Sequence, residues 1–267
     1  MKLSIKDLKA AEKGSMELPS QFSESFRPDL IKRAVQAIQS LTLTPYGADP
    51  RAGMRQSGEL SRRRKNYRGS YGHGISRVPR KILTRRGTRF FWVGAVAPGT
   101  VGGRRAHAPK AQKLIAKSIN TKERKKAIRC ALSASMMKDV VASRGHAVPD
   151  SYPFILSNDV ENVSKAKDLV SALKTLGFEA ELERTKKKTT RAGKGTMRGR
   201  KYKKKTGPVL VVSKKCPLSK VKSLPGVDVV SVSELNTSIL APGTDAGRAV
   251  LFSEDAVKKM KEDNLFI

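Results

Sequence analysis

The residues with the most chemistry to offer in this sequence are arginines, and they crowd into one stretch from Pro45 to Pro109. Arg51, Arg55, Arg62, Arg63, Arg64, Arg68, Arg77, Arg80, Arg85, Arg86, Arg89, Arg104 and Arg105 fall there, with Lys65 and Lys81. Between Asp49 and Lys110 the only carboxylate is Glu59. A guanidinium presents a planar fork that matches two phosphate oxygens and stacks on flat rings, whereas an ammonium acts as a point charge. Tyr67, Tyr71, Phe90, Phe91 and Trp92 set aromatic surfaces among these cations. That mixture suits a phosphate backbone with unstacked bases. The run Phe90-Phe91-Trp92-Val93 reads equally well as a small apolar anchor against a neighbouring protein.

A second cationic stretch spans residues 184–206. It carries Lys194, Arg198 and Arg200 among many other cations, glycines at Gly193, Gly195 and Gly199, and no carboxylate from Thr185 to Thr206. Within it, Ala192-Gly193-Lys194-Gly195-Thr196 looks briefly like a phosphate loop. It lacks the second glycine at the required spacing, and its flanks are cations rather than a strand and a helix. Gly102-Gly103 does not make a dinucleotide fingerprint either. His73, His107 and His146 are isolated from any Cys or carboxylate at metal-ligand spacing. The acidic residues nowhere form a pair suited to acid–base work. Cys130 lies on the apolar side of a helical pattern and reads as core. No catalytic residue, metal site or cofactor is expected, and the protein reads as a binding protein rather than an enzyme.

These segments need a scaffold to hold them, and the chain can supply one. It has 267 residues, with 55 Lys plus Arg against 23 Asp plus Glu, a formal charge of +32. Such a charge repels itself in a compact state and calls for a polyanionic partner. Nucleic acid fits best, because Lys and Arg in bulk act by releasing its counterions. No apolar run approaches the length of a transmembrane helix. Lys2, Lys6, Asp7 and Lys9 interrupt the start, so no secretory leader is expected. Cys130 and Cys216 are far apart, which suits a reduced, cytoplasmic setting.

The elements follow from periodicity. Met1 to Ser20 reads as one or two short strands turning at Lys13-Gly14. Pro28 opens a helix whose apolar positions are Leu30, Ile31, Ala34, Val35 and Ile38. No period of 3.6 or 2 persists through residues 45–109, so that stretch is expected to be an extended loop, disordered until something polyanionic orders it. Helical patterns return at Lys110 to Lys117. Another starts after Asn120, with Glu123 completing a capping box, and runs to a stop at Gly145. Strands are expected at Phe154 to Leu156, Phe178 to Leu182, Val209 to Val212, Val227 to Val232 and Ala249 to Phe252. Helices are expected at Val163 to Leu176, from Ser233 and at Glu254 to Lys261. Strand alternating with helix implies an α/β fold, a mainly parallel, Rossmann-like sheet with helices on both faces. The whole chain, 1–267, reads as one α/β domain interrupted by the 45–109 loop and the 184–206 insertion.

Several segments together resemble one family. Ser70-Tyr71-Gly72-His73-Gly74-Ile75-Ser76-Arg77-Val78-Pro79-Arg80 and Gly102-Gly103-Arg104-Arg105-Ala106-His107-Ala108-Pro109-Lys110 resemble the archaeal–eukaryotic branch of the fourth large-subunit ribosomal protein. Asn120 to Arg124, Ala131 to Ser135, Ser143 to His146, Arg191 to Arg200 and Arg27 to Ile31 are similar to it as well, in order along nearly the whole chain. The resemblance implies a structural, cytoplasmic constituent of the large subunit that binds its ribosomal RNA and supports assembly. It also implies that the long loop threads through that RNA, with a tip near Arg68 to Arg80 lining the constriction of the peptide exit tunnel. There it would face the twenty-second large-subunit protein and the nascent polypeptide. A hairpin of about 60 residues reaches no more than about 100 Å at 3.3 Å per residue, enough to cross a thick RNA layer. The expected RNA contacts are Arg62, Arg63, Arg64, Arg68, Arg77, Arg80, Arg104, Arg105, Lys110, Lys194, Arg198 and Arg200. Tyr71, His73 and Ile75 are expected to line the tunnel. The competing reading is a Rossmann-like RNA-modifying enzyme with basic arms, which would require a cofactor loop after a strand.

Overall fold

The computed structural model describes residues 1–221 and 223–267. In chain order the elements are β1 (Lys2–Lys6), β2 (Glu12–Glu17), α1 (Pro28–Leu41), β3 (Arg80–Arg86), β4 (Arg89–Gly94), α2 (Thr121–Met136) and α3 (Lys138–Ser143). There follow β5 (Ile155–Leu156), α4 (Ala166–Thr175), α5 (Glu179–Lys186), β6 (Lys188–Thr190), β7 (Tyr202–Lys204) and β8 (Val209–Val212). The chain closes with β9 (Asp228–Ser231), α6 (Thr237–Leu240), β10 (Val250–Ser253) and α7 (Glu254–Glu262). Two compact units result, one from Met1–Thr42 with Ala116–Ile267, the other from Leu43–Ile115.

The first unit is built on a six-stranded sheet ordered β2-β1-β5-β10-β8-β9, parallel except for the β1–β2 pair. Alternation along the inner strands explains its two covered faces. Val209 and Val211 of β8 and Val250 and Phe252 of β10 join Ile31, Val35, Leu132 and Val257 in one apolar cluster. Leu210, Val212 and Leu251 point the other way, into a second cluster with Leu169, Leu173 and Leu182. Strands buried on both faces read as continuous apolar runs, which is why Val209–Val212 stands out in the sequence. Pro28 sits at the start of α1 as expected, and the buried side of that helix is Ile31, Ala34, Val35 and Ala37.

Several local expectations give way to tertiary context. The first hairpin turns through residues 7–11, where Asp7 O accepts from Ala10 N–H, and Lys13-Gly14 lies inside β2. Lys110 to Lys117 is not helical: Leu114, 93% exposed, has no surface to bury against. The long helix expected from Asn120 to Gly145 breaks at Met137, whose extended backbone separates α2 from α3. The Asn120 side chain makes no cap bond, and Glu123 instead accepts from Arg33 Nη1 at 3.1 Å. Glu179 to Leu182 opens helix α5, with Phe178 as its N-cap, and is not a strand. Glu179, Ala180, Glu181 and Leu182 are strong helix formers, with acids in the first turn of α5 and Arg184 and Lys186 in the last, favourable at both dipole ends.

Gly177 ends α4 with φ +89°, and a Cβ there would sit 2.9 Å from Pro149 Cβ. Left-handed backbone and crowding both penalise a side chain at this position. Gly177→Ala is therefore expected to cost about 1–2 kcal/mol, read as a lower urea midpoint with an unchanged slope.

Candidate nucleic-acid interface

The second unit is not featureless. Residues 80–94 form the β3–β4 hairpin, with Lys81 opposite Val93, Ile82 opposite Trp92 and a bulge before Thr84. Its period-2 pattern is short and interrupted by cations, so it leaves little signal in the sequence. One face carries a chain of stacked groups. Arg80 lies 5.4 Å over Trp92, Trp92 stacks on Phe90 at 5.2 Å, Phe90 meets Tyr67 edge-on at 5.1 Å, and Arg85 covers and bonds Tyr67. Cation–π contacts and aromatic pairs here replace an aliphatic core. Phe91 and Val93 fall on the opposite face, 58% and 43% exposed. The Phe90-Phe91-Trp92-Val93 run is thus divided between two faces.

Elsewhere in this unit, two arms run side by side. Ala48 N–H donates to Pro109 O at 2.8 Å, and Gln56 Nε2 donates to Gly102 O at 2.8 Å. Gly53, at φ +73°, lets the backbone approach Arg104, where a Cβ would lie 2.5 Å from the amide nitrogen.

Twelve positions were expected to bind RNA, and the structure sorts them. Arg62, Arg63, Arg64, Arg104, Arg105 and Lys110 are exposed, and among the described residues their side chains have no hydrogen-bond or ion-pair partner. Arg68 is 3.6 Å from Glu59. Arg77 lies 4.6 Å over Tyr71. Arg80 is half-buried, donating to Ser76 Oγ at 2.8 Å as well as covering Trp92, so it holds the hairpin together. His73 is exposed in a turn between Gly72 and Gly74, Ile75 is exposed just beyond that turn, and Tyr71 is half-covered.

In the first unit, β6 and β7 form a hairpin that carries Lys194, Arg198 and Arg200, all exposed. Its pairing places Lys188 directly opposite Lys204. Like charges facing each other destabilise a hairpin unless a counter-charge arrives. The stem is held by guanidinium groups. Arg184 Nη2 donates to Thr206 O at 2.7 Å, and Arg248, 2% exposed, donates from Nε to Gly207 O at 2.8 Å and from Nη1 to Ile239 O at 3.0 Å. Burial lowers the Arg248 pKa, an effect that Asp228 opposes.

Sequence reading missed one buried group. His146 is isolated along the sequence, yet its Nδ1 lies 2.7 Å from Glu181 Oε1. Glu181 also accepts from Ala147 N–H at 3.0 Å and from Arg184 Nε at 2.7 Å. Burial alone would raise the Glu181 pKa, but these donors outweigh it and hold the carboxyl at about 2. A buried carboxylate held charged by three donors is structural. The only available signal was Glu181 in an i,i+3 relation to Arg184; the 35-residue separation from His146 left none. Cys130 is fully buried, and burial, with the charge of Glu24 adding, pushes its thiol pKa up, away from nucleophilic chemistry. Among the described residues no cluster of three or more His, Cys, Asp or Glu is placed to hold a metal, and no helix is long and apolar enough to cross a membrane.

The first unit is thus an α/β unit that carries a cationic hairpin with facing lysines. The chain matches the model of the ribosomal protein L4/L1 family over residues 16–263. It is 43% identical to the large ribosomal subunit protein uL4 of Nanoarchaeum equitans, over 100% of both chains. It is 42% identical to the proteins of that name from Methanoculleus marisnigri and Archaeoglobus fulgidus, over 98% of this chain and 99% of each relative. The chain belongs to the ribosomal protein L4/L1 family, and its relatives here are archaeal ribosomal proteins rather than enzymes.

Proposed function

We propose that this chain is a structural component of the large ribosomal subunit in the cytoplasm, where it binds large-subunit RNA and supports assembly. The observation that carries this reading is the supply of exposed cations on residues 62–64, 104–110 and 194–200, unpaired among the described residues, within a chain that aligns end to end with large-subunit relatives. In this reading the Rossmann-like sheet is the scaffold. Residues 45–109 are an extended arm that reaches into RNA and towards the exit tunnel, and 184–206 is a second arm. Arg62, Arg63, Arg64, Arg68, Arg77, Arg104, Arg105, Lys110, Lys194, Arg198 and Arg200 neutralise phosphates. Arg80 acts mainly by keeping the hairpin in shape. Tyr71, His73 and Ile75 face the nascent polypeptide, across from the twenty-second large-subunit protein.

The test is sedimentation of cell extract at low and high salt. Co-migration with large subunits through a high-salt wash is the expected result, because many phosphate contacts and a threaded arm must all be released together. A chain stripped by modest salt would be a peripheral binder, and one at the top of the gradient in low salt would not be a subunit component.

A further inference from the structure

The two edges of the six-stranded sheet are built differently. At one edge, β2 presents Glu12, Lys13, Gly14 and Ser15, all exposed, a composition that discourages further strands. At the other, β9 presents half-buried Val229 and Val230. Asp228 N–H donates inward to Pro208 O, so the next residue, Val229, turns its N–H and C=O outward, as does Ser231. Among the described residues, neither outward group of Val229 has a backbone partner, whereas Ser231 C=O already accepts the first bond of the 3-10 turn Val232–Glu234. A groove of about 390 Å³ follows this edge, walled by Val221 on one side of the sheet and Ile239 on the other. Beside it a second hollow is bordered by the exposed Lys215 and Lys220; its one acid, Glu234, lies 3.7 Å from Lys215 Nζ, and among the described residues Lys220 has no acidic partner.

We propose that β9 is a docking edge for an extended segment of another protein, added as a seventh strand, with apolar residues in the Val221–Ile239 groove and a carboxylate against Lys215 or Lys220. Main-chain bonds supply the affinity in this mode, and side-chain pockets supply the selectivity. RNA has no alternating peptide donors and acceptors to complete a sheet. A second copy pairing edge to edge would bring Lys215 and Lys220 against themselves on chains of formal charge +32. A segment with apolar and acidic residues fits both the groove and its rim.

The test uses whatever complex the tagged full-length chain is isolated in, so its outcome is separate from the question of subunit membership. Zero-length carbodiimide joins amines only to carboxylates. Lys215 or Lys220 is expected to link to an Asp or Glu of a different protein. Amides in the 227–232 peptide are expected to exchange at least tenfold more slowly than in the free chain. Val229→Pro removes one outward N–H and spares the ladder to β8, so it should abolish the links while the chain keeps its complex. If that variant fails to fold, the first two measurements on the unaltered chain still decide. Equal exchange in complex and free chain, or protection with links only to this chain's own Glu234, overturns the proposal.

Discussion

Replacing Arg62, Arg63 and Arg64 together by glutamine is expected to flatten the salt dependence of binding to large-subunit RNA by about 2 to 3 units of log K per log salt. Each phosphate neutralised releases counterions, contributing roughly 0.9 units on a duplex and 0.7 on a single strand. These three side chains are exposed and, among the described residues, have no partner, so no internal contact is lost. Binding near physiological salt should weaken by roughly a thousandfold, at about 1.5 kcal/mol for each charge-assisted contact. Filter binding across a salt series measures both quantities. An unchanged slope would remove these arginines from the RNA interface. Arg80→Gln should behave differently, because its guanidinium is spent on Ser76 and Trp92. Its expected effect is faster protease cleavage within residues 80–94, with little change in slope.

Glu181→Ala is the substitution expected to damage the first unit most. It leaves His146, Arg184 and the Ala147 N–H without their shared acceptor in a site where the carboxylate itself is fully buried. Breaking a buried charge pair by removing one partner costs about 3–5 kcal/mol, a large part of the roughly 5–15 kcal/mol that holds a domain together. A urea melt reads the loss directly. The same group sets a pH dependence. Its carboxyl pKa falls from 4.5 to about 2 on folding, so its contribution is complete above pH 4.5. The contribution is lost as pH falls from 4.5 towards 2, amounting to roughly 3 kcal/mol. Other paired carboxylates titrate in the same window. The measurable quantity is therefore the difference between the unaltered chain and Glu181→Gln, which should shrink steadily over that range. A constant difference from pH 6 to pH 2.5 would contradict the assignment.

Much of the scaffold is legible before any folding is considered. Val209–Val212 and Val250–Ser253 are apolar at consecutive positions because both faces of their sheet are covered. Ile31, Ala34 and Val35 recur at helical spacing because α1 covers one of those faces. Both patterns are local records of burial, so they survive in a one-dimensional string. The β3–β4 hairpin is less legible. Its interior consists of Trp92, Phe90 and Tyr67 under Arg80 and Arg85, and with cations as covers and apolar Phe91 and Val93 on the other face the period-2 signal is too weak to read. The start of α5 reads as a strand because Phe178 and Leu182 outweigh the helix-forming residues between them.

What the sequence determines by itself is therefore the composition-borne part: a large excess of cations and their concentration in two glycine-broken segments. Charge and composition add residue by residue and need no fold to be counted. The tertiary structure decides which cations are free. Arg62, Arg63 and Arg64 are, whereas Arg80 is spent on a ring, Arg184 on a carboxylate and Arg248 on backbone carbonyls. It also decides that Phe91 turns away from Trp92, and that β9 rather than β2 is the open apolar edge. Each of these depends on a partner distant along the chain, and distance along the chain says nothing of distance in space until the sheet has formed.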